Sequence, residues 1–184
     1  MVPLIFVAGF VIAFMWMYNT LIARKNDVNR TYGSIDVLLK KRYDLIPNLV
    51  ETAKQYMGYE SRLLTEVTEL RGKAMSVGNT QEERLKLDSA LAQKLGTLMV
   101  VAENYPDLKA NQSFTLIQNS WKELEDQIAL ARATYNQSVT QYNNAVEMFP
   151  TNLVATMMDY KTKNLFEVLT DERENLKAGE LFSK

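Results

Sequence analysis

Cysteine and histidine are both absent from this 184-residue sequence. Without cysteine there are no disulfides, zinc–thiolate sites, thiol nucleophiles or lipid-modified cysteines. Without histidine the usual general base and the commonest transition-metal ligand are missing, so neither a Ser-His-Asp triad nor an H-E-x-x-H site can be assembled. Di-iron helical bundles built on Glu-x-x-His are excluded for the same reason. No G-x-x-x-x-G-K or G-x-G-x-x-G motif occurs, so no phosphate cradle is encoded. Seven glycines and four prolines are few, which favours long helices over a turn-rich β fold. A net charge of -1 gives no sign of a nucleic-acid partner. No catalytic residue, cofactor-binding residue or metal ligand is predicted, and the chain is not expected to be an enzyme.

What the sequence does hold begins with a run of membrane length. From Met1 to Ala23, "MVPLIFVAGFVIAFMWMYNTLIA" carries no charged side chain. At 1.5 Å per residue these 23 residues reach roughly 34 Å, enough for a hydrocarbon core of roughly 30 Å. The run lacks the basic n-region, short apolar stretch and small-residue cleavage site of a signal peptide, so it predicts an uncleaved single-pass anchor. Trp16 and Tyr18, followed by Arg24 and Lys25, make an interfacial belt, and no Lys or Arg precedes the span. The positive-inside rule then predicts an external N-terminus and a cytoplasmic C-terminal domain. Two flanking cations set only a modest bias, and an exported domain is the alternative.

Behind the anchor the periodicity predicts three long helices, a short fourth and a tail. In the first, Val28, Tyr32, Ile35, Leu39, Arg42, Ile46, Leu49, Ala53, Tyr56, Glu60, Leu63, Val67, Leu70 and Ala74 step by three and four, the seam of a bundle or coiled coil. Asn26 to Met75 would reach roughly 75 Å if unbroken. Arg42 and Glu60, the charges on this seam, are expected to snorkel to water. Pro47 removes the hydrogen bond to the Tyr43 carbonyl, a change costing about 3 kcal/mol inside a helix. Ile46 and Leu49 keep the seam in phase, so Pro47 is expected to bend the helix without ending it. Whether the freed carbonyl merely follows the bundle's curvature or meets a partner or the membrane stays open.

"SVGN", Ser76 to Asn79, interrupts the pattern, and Thr80 with Glu83 forms a T-x-x-E capping box that starts the second helix. Its seam is Leu87, Leu91, Leu95, Leu98, Ala102 and Tyr105, and Pro106 stops it. The third helix carries Phe114, Ile117, Trp121, Leu124, Ile128, Ala131, Tyr135, Ser138, Tyr142, Ala145 and Phe149, and Pro150 closes it. Asn152 to Tyr160, "NLVATMMDY", suggests the short fourth helix. From Lys161 charge is dense and periodicity weak, which predicts a partly ordered tail. The expected division is an anchor over 1–25, a helical bundle domain over 26–160 and a charged tail over 161–184.

Smaller features are weighed against plain structural roles. Glu103 and Asp107 flank a corner and could hold a hard cation, but capping by Asp107 and Asn111 accounts for the pattern better. The N-x-S/T triplets at Asn29, Asn111 and Asn136 are discounted as chance matches. Tyr135-Asn136 and Tyr142-Asn143 repeat at a spacing of seven, placing an amide beside each seam tyrosine. They would either fix helix register or bind a ligand.

Three blocks, "SIDVLLKKRYDLIPNLVETAKQY", "AENYPDLKANQSF" and "ARATYNQSVTQYNNAVEMFPTNLVA", closely resemble the signature blocks of the LemA family of bacterial membrane proteins. They occur in order behind an N-terminal anchor, so the resemblance spans about Val28 to Ala155. It implies a largely α-helical bundle whose biochemical function is poorly defined, with some relatives tied to magnetosome membrane formation. It carries no catalytic residues across. Asp159 stands where relatives often have glycine, and the tail lacks the family's terminal proline.

The sequence therefore points to an all-α protein, with a transmembrane helix followed by an elongated antiparallel bundle of three long helices plus a short fourth. The expected function is that of a non-catalytic, membrane-anchored scaffold or adaptor that self-associates or organises a membrane partner. Expected partners are the lipid bilayer, further copies in a homo-oligomer and a membrane protein, with no nucleic acid and no cofactor. A signal-transmitting or ligand-sensing bundle hinged at Pro47 is the alternative.

Overall fold

In the computed structural model, which describes residues 2–166, every regular element is a helix. The elements are α1 (Val2–Lys54), α2 (Ser61–Ala74), α3 (Gln81–Ala102), α4 (Pro106–Ala110), α5 (Gln112–Glu147) and α6 (Thr151–Met157). The all-α class is thus as expected, but the described residues form six helices where an anchor helix, three long ones and a short fourth are expected. The apolar run is continuous with the first long helix in α1, and that helix breaks after Lys54. Most of the tail expected over 161–184 lies outside the described residues. The chain divides into two compact units, Gly33–Ala131 and a second that joins Met1–Tyr32 to the chain from Arg132 onward.

Within Gly33–Ala131 the break after α1 has a local cause. Gly58 weakens helix formation by about 1 kcal/mol, and the Tyr56 and Met57 N–H groups both turn back to the Ala53 carbonyl, at 3.0 and 2.9 Å. Met57 is buried where Tyr56 was expected, and Leu64 where Leu63 was, while Val67 and Ala74 of α2 are buried at the expected seam positions. Because the stripe returns to its register beyond the turn, periodicity alone could not show the break.

Pro47 sits inside α1 without ending it, as its in-phase neighbours indicated. Its missing N–H leaves the Tyr43 carbonyl free, and Arg71 of α2 donates to that oxygen from Nε at 2.7 Å. The freed carbonyl therefore ties α2 to α1 within the unit. Arg71→Met should cost about 1–3 kcal/mol by leaving this oxygen without its donor. In a Pro47→Ala background the restored backbone N–H can take over, so the same change should cost much less. Chemical denaturation of the four proteins in this cycle measures the coupling, and an equal loss in both backgrounds would contradict the assignment.

α3 opens with the predicted capping box: Thr80 Oγ1 accepts from the Glu83 N–H at 3.2 Å, and the Thr80 N–H donates to Glu83 Oε2 at 2.8 Å. Its Leu91, Leu95, Leu98 and Ala102 are buried as expected. Pro106 begins α4, where its absent N–H has no helical role. Asn111 starts α5, its Oδ1 accepting from the Phe114 N–H at 3.2 Å, and its amide donates to the Tyr56 hydroxyl at 3.0 Å.

In the second unit, Met17 and Leu21 of α1 pack against Val154 and Ala155 of α6, with Phe14, Tyr18, Ala145, Val146 and Tyr160 around them. The last turns of the apolar run are therefore partly protein core. Its earlier residues, including Leu4, Phe6 and Phe10, are exposed. On α5, Val139 is buried in place of the expected Ser138, and Phe149, expected on the same seam, lies beyond the end of α5 and is exposed. Asp159 follows α6 with φ 52°, in the left-handed region where glycine fits freely and aspartate is among the tolerated residues.

Candidate functional site

Two polar constellations and one apolar surface stand out. The first lies in Gly33–Ala131, where Arg42 of α1, only 1% exposed, replaces an apolar seam residue. Its Nη1 donates to Asp88 Oδ1 of α3 at 2.8 Å, and its Nη2 to Glu125 Oε1 of α5 at 2.5 Å. The guanidinium also lies over the Trp121 ring, 4.9 Å from its centroid. Burial opposes the charge on Arg42, but the two carboxylates outweigh it and hold the guanidinium protonated. The expectation that Arg42 snorkels to water is thus corrected; carboxylates from two other helices compensate its charge in the interior. Asp88, fully buried, gave no signal because it interrupts no apolar stripe of α3. Glu60 sits at the start of α2, where its side chain makes no capping bond.

Tyr43 adds its hydroxyl to Asp88 Oδ1 at 3.2 Å. Burial, and then the charge of Asp88, push the phenol well above its ordinary value. A proton held more tightly in the folded chain contributes stability that is complete below the unfolded tyrosine value of about 10 and lost as pH rises past it. Wild type should therefore lose stability relative to Tyr43→Phe above about pH 10. Thermal melts of both proteins across that range check it, and a pH-independent difference would mean that the phenol is not protected.

The second constellation explains the Tyr-Asn repeat. Asn136 and Asn143 of α5 each grip one residue of the extended segment after α6 by both of its backbone groups. Asn136 donates to the Phe166 carbonyl at 3.0 Å and accepts from the Phe166 N–H at 2.7 Å. Asn143 does the same for Lys163, at 2.9 Å in both directions. The Tyr142 hydroxyl donates to the Lys161 carbonyl at 3.0 Å, and Tyr135 meets Phe166 edge-on with ring centroids 4.7 Å apart.

The spacing follows from element geometry. Seven helical residues rise about 10.5 Å, and three extended residues span about 10 Å, so amides at 136 and 143 match backbone groups at 166 and 163. Neither reading of the repeat from sequence anticipated that its partner is the chain's own extended segment. An aperiodic segment leaves no pattern to match, which is why only the α5 side of the ladder was visible. Asn136→Ala should speed hydrogen exchange at the Phe166 amide roughly thirtyfold, because two bonds worth about 1 kcal/mol each are lost. Unchanged exchange there would remove the ladder's role in holding the segment.

Other candidates resolve into structural roles. Glu103 pairs with Lys109, Asp107 lies in the first turn of α4, and Asn111 caps α5. No group of three or more metal-ligating side chains occurs among the described residues. Two open clefts of about 380 and 420 Å³ flank the C-terminal part of α1, one lined by Pro47 and Arg71, the other by Asn48 and Leu116.

The apolar surface is the N-terminal part of α1. It is long and apolar enough to cross a membrane, and Leu4, Ile5, Phe6, Phe10 and Ile12 all face outward. The family profile described as the LemA family matches residues 31–178. The chain belongs to the LemA family. Among LemA-type relatives, the magnetosome protein MamQ 2 of Paramagnetospirillum magneticum is 24% identical over 186 residues, covering 88% of this chain and 68% of the relative. The protein LemA of Metamycoplasma hominis is 25% identical over 163 residues, covering 89% and 74%. The magnetosome protein MamQ of Magnetospirillum gryphiswaldense is 22% identical over 183 residues, covering 86% and 67%. None of these names denotes a catalytic activity. The LemA blocks fall on the parts just described: the first contains Arg42, Tyr43 and Pro47, and the third contains both ladder asparagines.

Proposed function

We propose that this LemA-family chain is a membrane-anchored helical scaffold or adaptor that self-associates or organises a membrane partner, without catalytic chemistry. The observation that carries this reading is α1, an uninterrupted helix whose exposed apolar beginning continues to Lys54. A helix continuous with its anchor suits a part that presents side chains at a set distance from the bilayer. Exposed Val37, Val100, Leu116 and Leu130 offer apolar contact points in Gly33–Ala131. Two relatives are named as proteins of the magnetosome, which suits a role in organising membrane.

In this proposal residues 1–25 form the anchor, 26–160 the working domain and 161–184 a tail. Arg24 and Lys25 orient the domain to the cytoplasm by the positive-inside rule. The test is crosslinking in native membranes with identification of what is captured, paired with a Ser76→Cys variant in the otherwise cysteine-free chain. Captured copies of the chain or a membrane protein, with the thiol introduced at position 76 shielded from an impermeant reagent until lysis, are expected. Labelling before lysis would place the domain outside, and capture of neither class would remove the scaffold reading.

A further inference from the structure

A second apolar surface lies beside the first. Leu153 and Met157, one turn apart on α6, are 55% and 74% exposed, and Phe149 just before the helix is 79% exposed. The opposite face of α6 is already in use, since Val154 and Ala155 pack on Met17 and Leu21. We propose that α6 lies in the membrane interface with Phe149, Leu153 and Met157 against acyl chains, so that the chain contacts lipid through two elements. This rests on α1 being the bilayer anchor.

Three observations favour lipid as the occupant of this face. The first is level. α6 packs beside Phe14 to Leu21 of α1, which precede the first charge of that region, Arg24, by three to ten residues. Along the helix axis that is about 4.5 to 15 Å on the apolar side of Arg24, overlapping the roughly 5–10 Å depth of interfacial helices. Trp16 of α1, within the same stretch, is exposed. The second is charge. No charged residue occurs from Met148 to Met158, a stretch bounded directly by Glu147 and Asp159, and the cations Arg24, Lys25, Lys161 and Lys163 lie just beyond the apolar stretches. Lys25 sits 5.0 Å from the centre of the Tyr160 ring, joining a cation and an aromatic where headgroups would be. The third is continuity. α6 and α1 share one buried cluster, so an anchor inserted through α1 carries α6 to the bilayer surface with it.

The chain has no cysteine, so single-cysteine variants carry one label each. Full-length Leu153→Cys, Met157→Cys, Phe10→Cys and Ser76→Cys proteins, labelled with an environment-sensitive fluorophore, are reconstituted in vesicles of phosphatidylcholine and phosphatidylglycerol bearing brominated acyl chains. Quenching at 153, 157 and 10, with none at 76, is the expected result. Quenching at 10 but at neither α6 position overturns the proposal and leaves the anchor standing. Quenching at none of them overturns both. An intermolecular disulfide through the thiol introduced at position 153, without quenching, assigns the face to a second copy of the chain and also overturns the proposal. Phe149→Cys, on the loop before α6, provides an independent position should either helix variant fail to fold.

Discussion

Arg42→Met is expected to destabilise the protein by about 3–5 kcal/mol, the largest loss from any single substitution considered. The reason is the partner left behind. Asp88 is fully buried, and without the guanidinium its Oδ1 loses the cation bonded to it and retains the Tyr43 hydroxyl. Removing one partner of a buried ion pair is far more costly than the pair is favourable, so most of the loss reflects the interaction that the Asp88 carboxylate loses in the interior. Glu125, with a side chain 36% exposed, can instead turn to water. Arg42→Met combined with Asp88→Leu should therefore recover much of the loss, because both charges leave together. Urea unfolding of the two single variants and the double variant measures this against a total stability of about 5–15 kcal/mol for a typical domain. A single Arg42→Met change worth less than about 1 kcal/mol would show that the charge on Asp88 does not depend on Arg42.

Deleting residues 1–25 should destabilise the second unit. Composition places the boundary at the first charges, Arg24 and Lys25, but Met17 and Leu21 are core residues of the second unit. Losing a buried side chain of either kind typically costs about 2–5 kcal/mol, so removing both should disrupt the α6 region by at least about 4 kcal/mol. Deletion of residues 1–13 removes exposed apolar surface and spares every residue of that cluster. The shorter deletion should fold in water with near-native helix content, whereas the longer one should melt markedly earlier or lose signal from the second unit. Circular dichroism melts of both forms decide it, and equal stability would mean that the α1–α6 cluster contributes little.

Much of the fold was legible because helices buried on one face leave a three-four pattern. Leu91, Leu95, Leu98, Trp121, Leu124 and Ile128 are buried where the seams put them, and Thr80 and Glu83 cap α3 as their spacing required. Pro47 was readable as interior to a continuous helix because both flanking seam residues, Ile46 and Leu49, stay inward. What failed to show were features set by partners distant in sequence. Arg42 looked like a seam defect, since Asp88 lies 46 residues and Glu125 83 residues away. The turn at Gln55 to Glu60 was hidden because the stripe returned to its register at Val67 and Ala74. Half of the amide ladder was present as a heptad repeat, while its other half was an extended segment with no period of its own.

In the proposed function, membrane attachment through α1 is what allows the chain to assemble. It is tested most directly by measuring the size of the full-length protein in native-lipid nanodiscs beside that of the folded form lacking residues 1–13 in water. Confinement to a bilayer raises effective concentration by orders of magnitude, so weak contacts that populate assemblies there should fail in solution. Full-length protein in complexes larger than one copy, alone or with a membrane partner, and a monomeric truncated form are predicted. A full-length protein that is a lone monomer in lipid, or a truncated form that assembles equally well in water, would contradict the account.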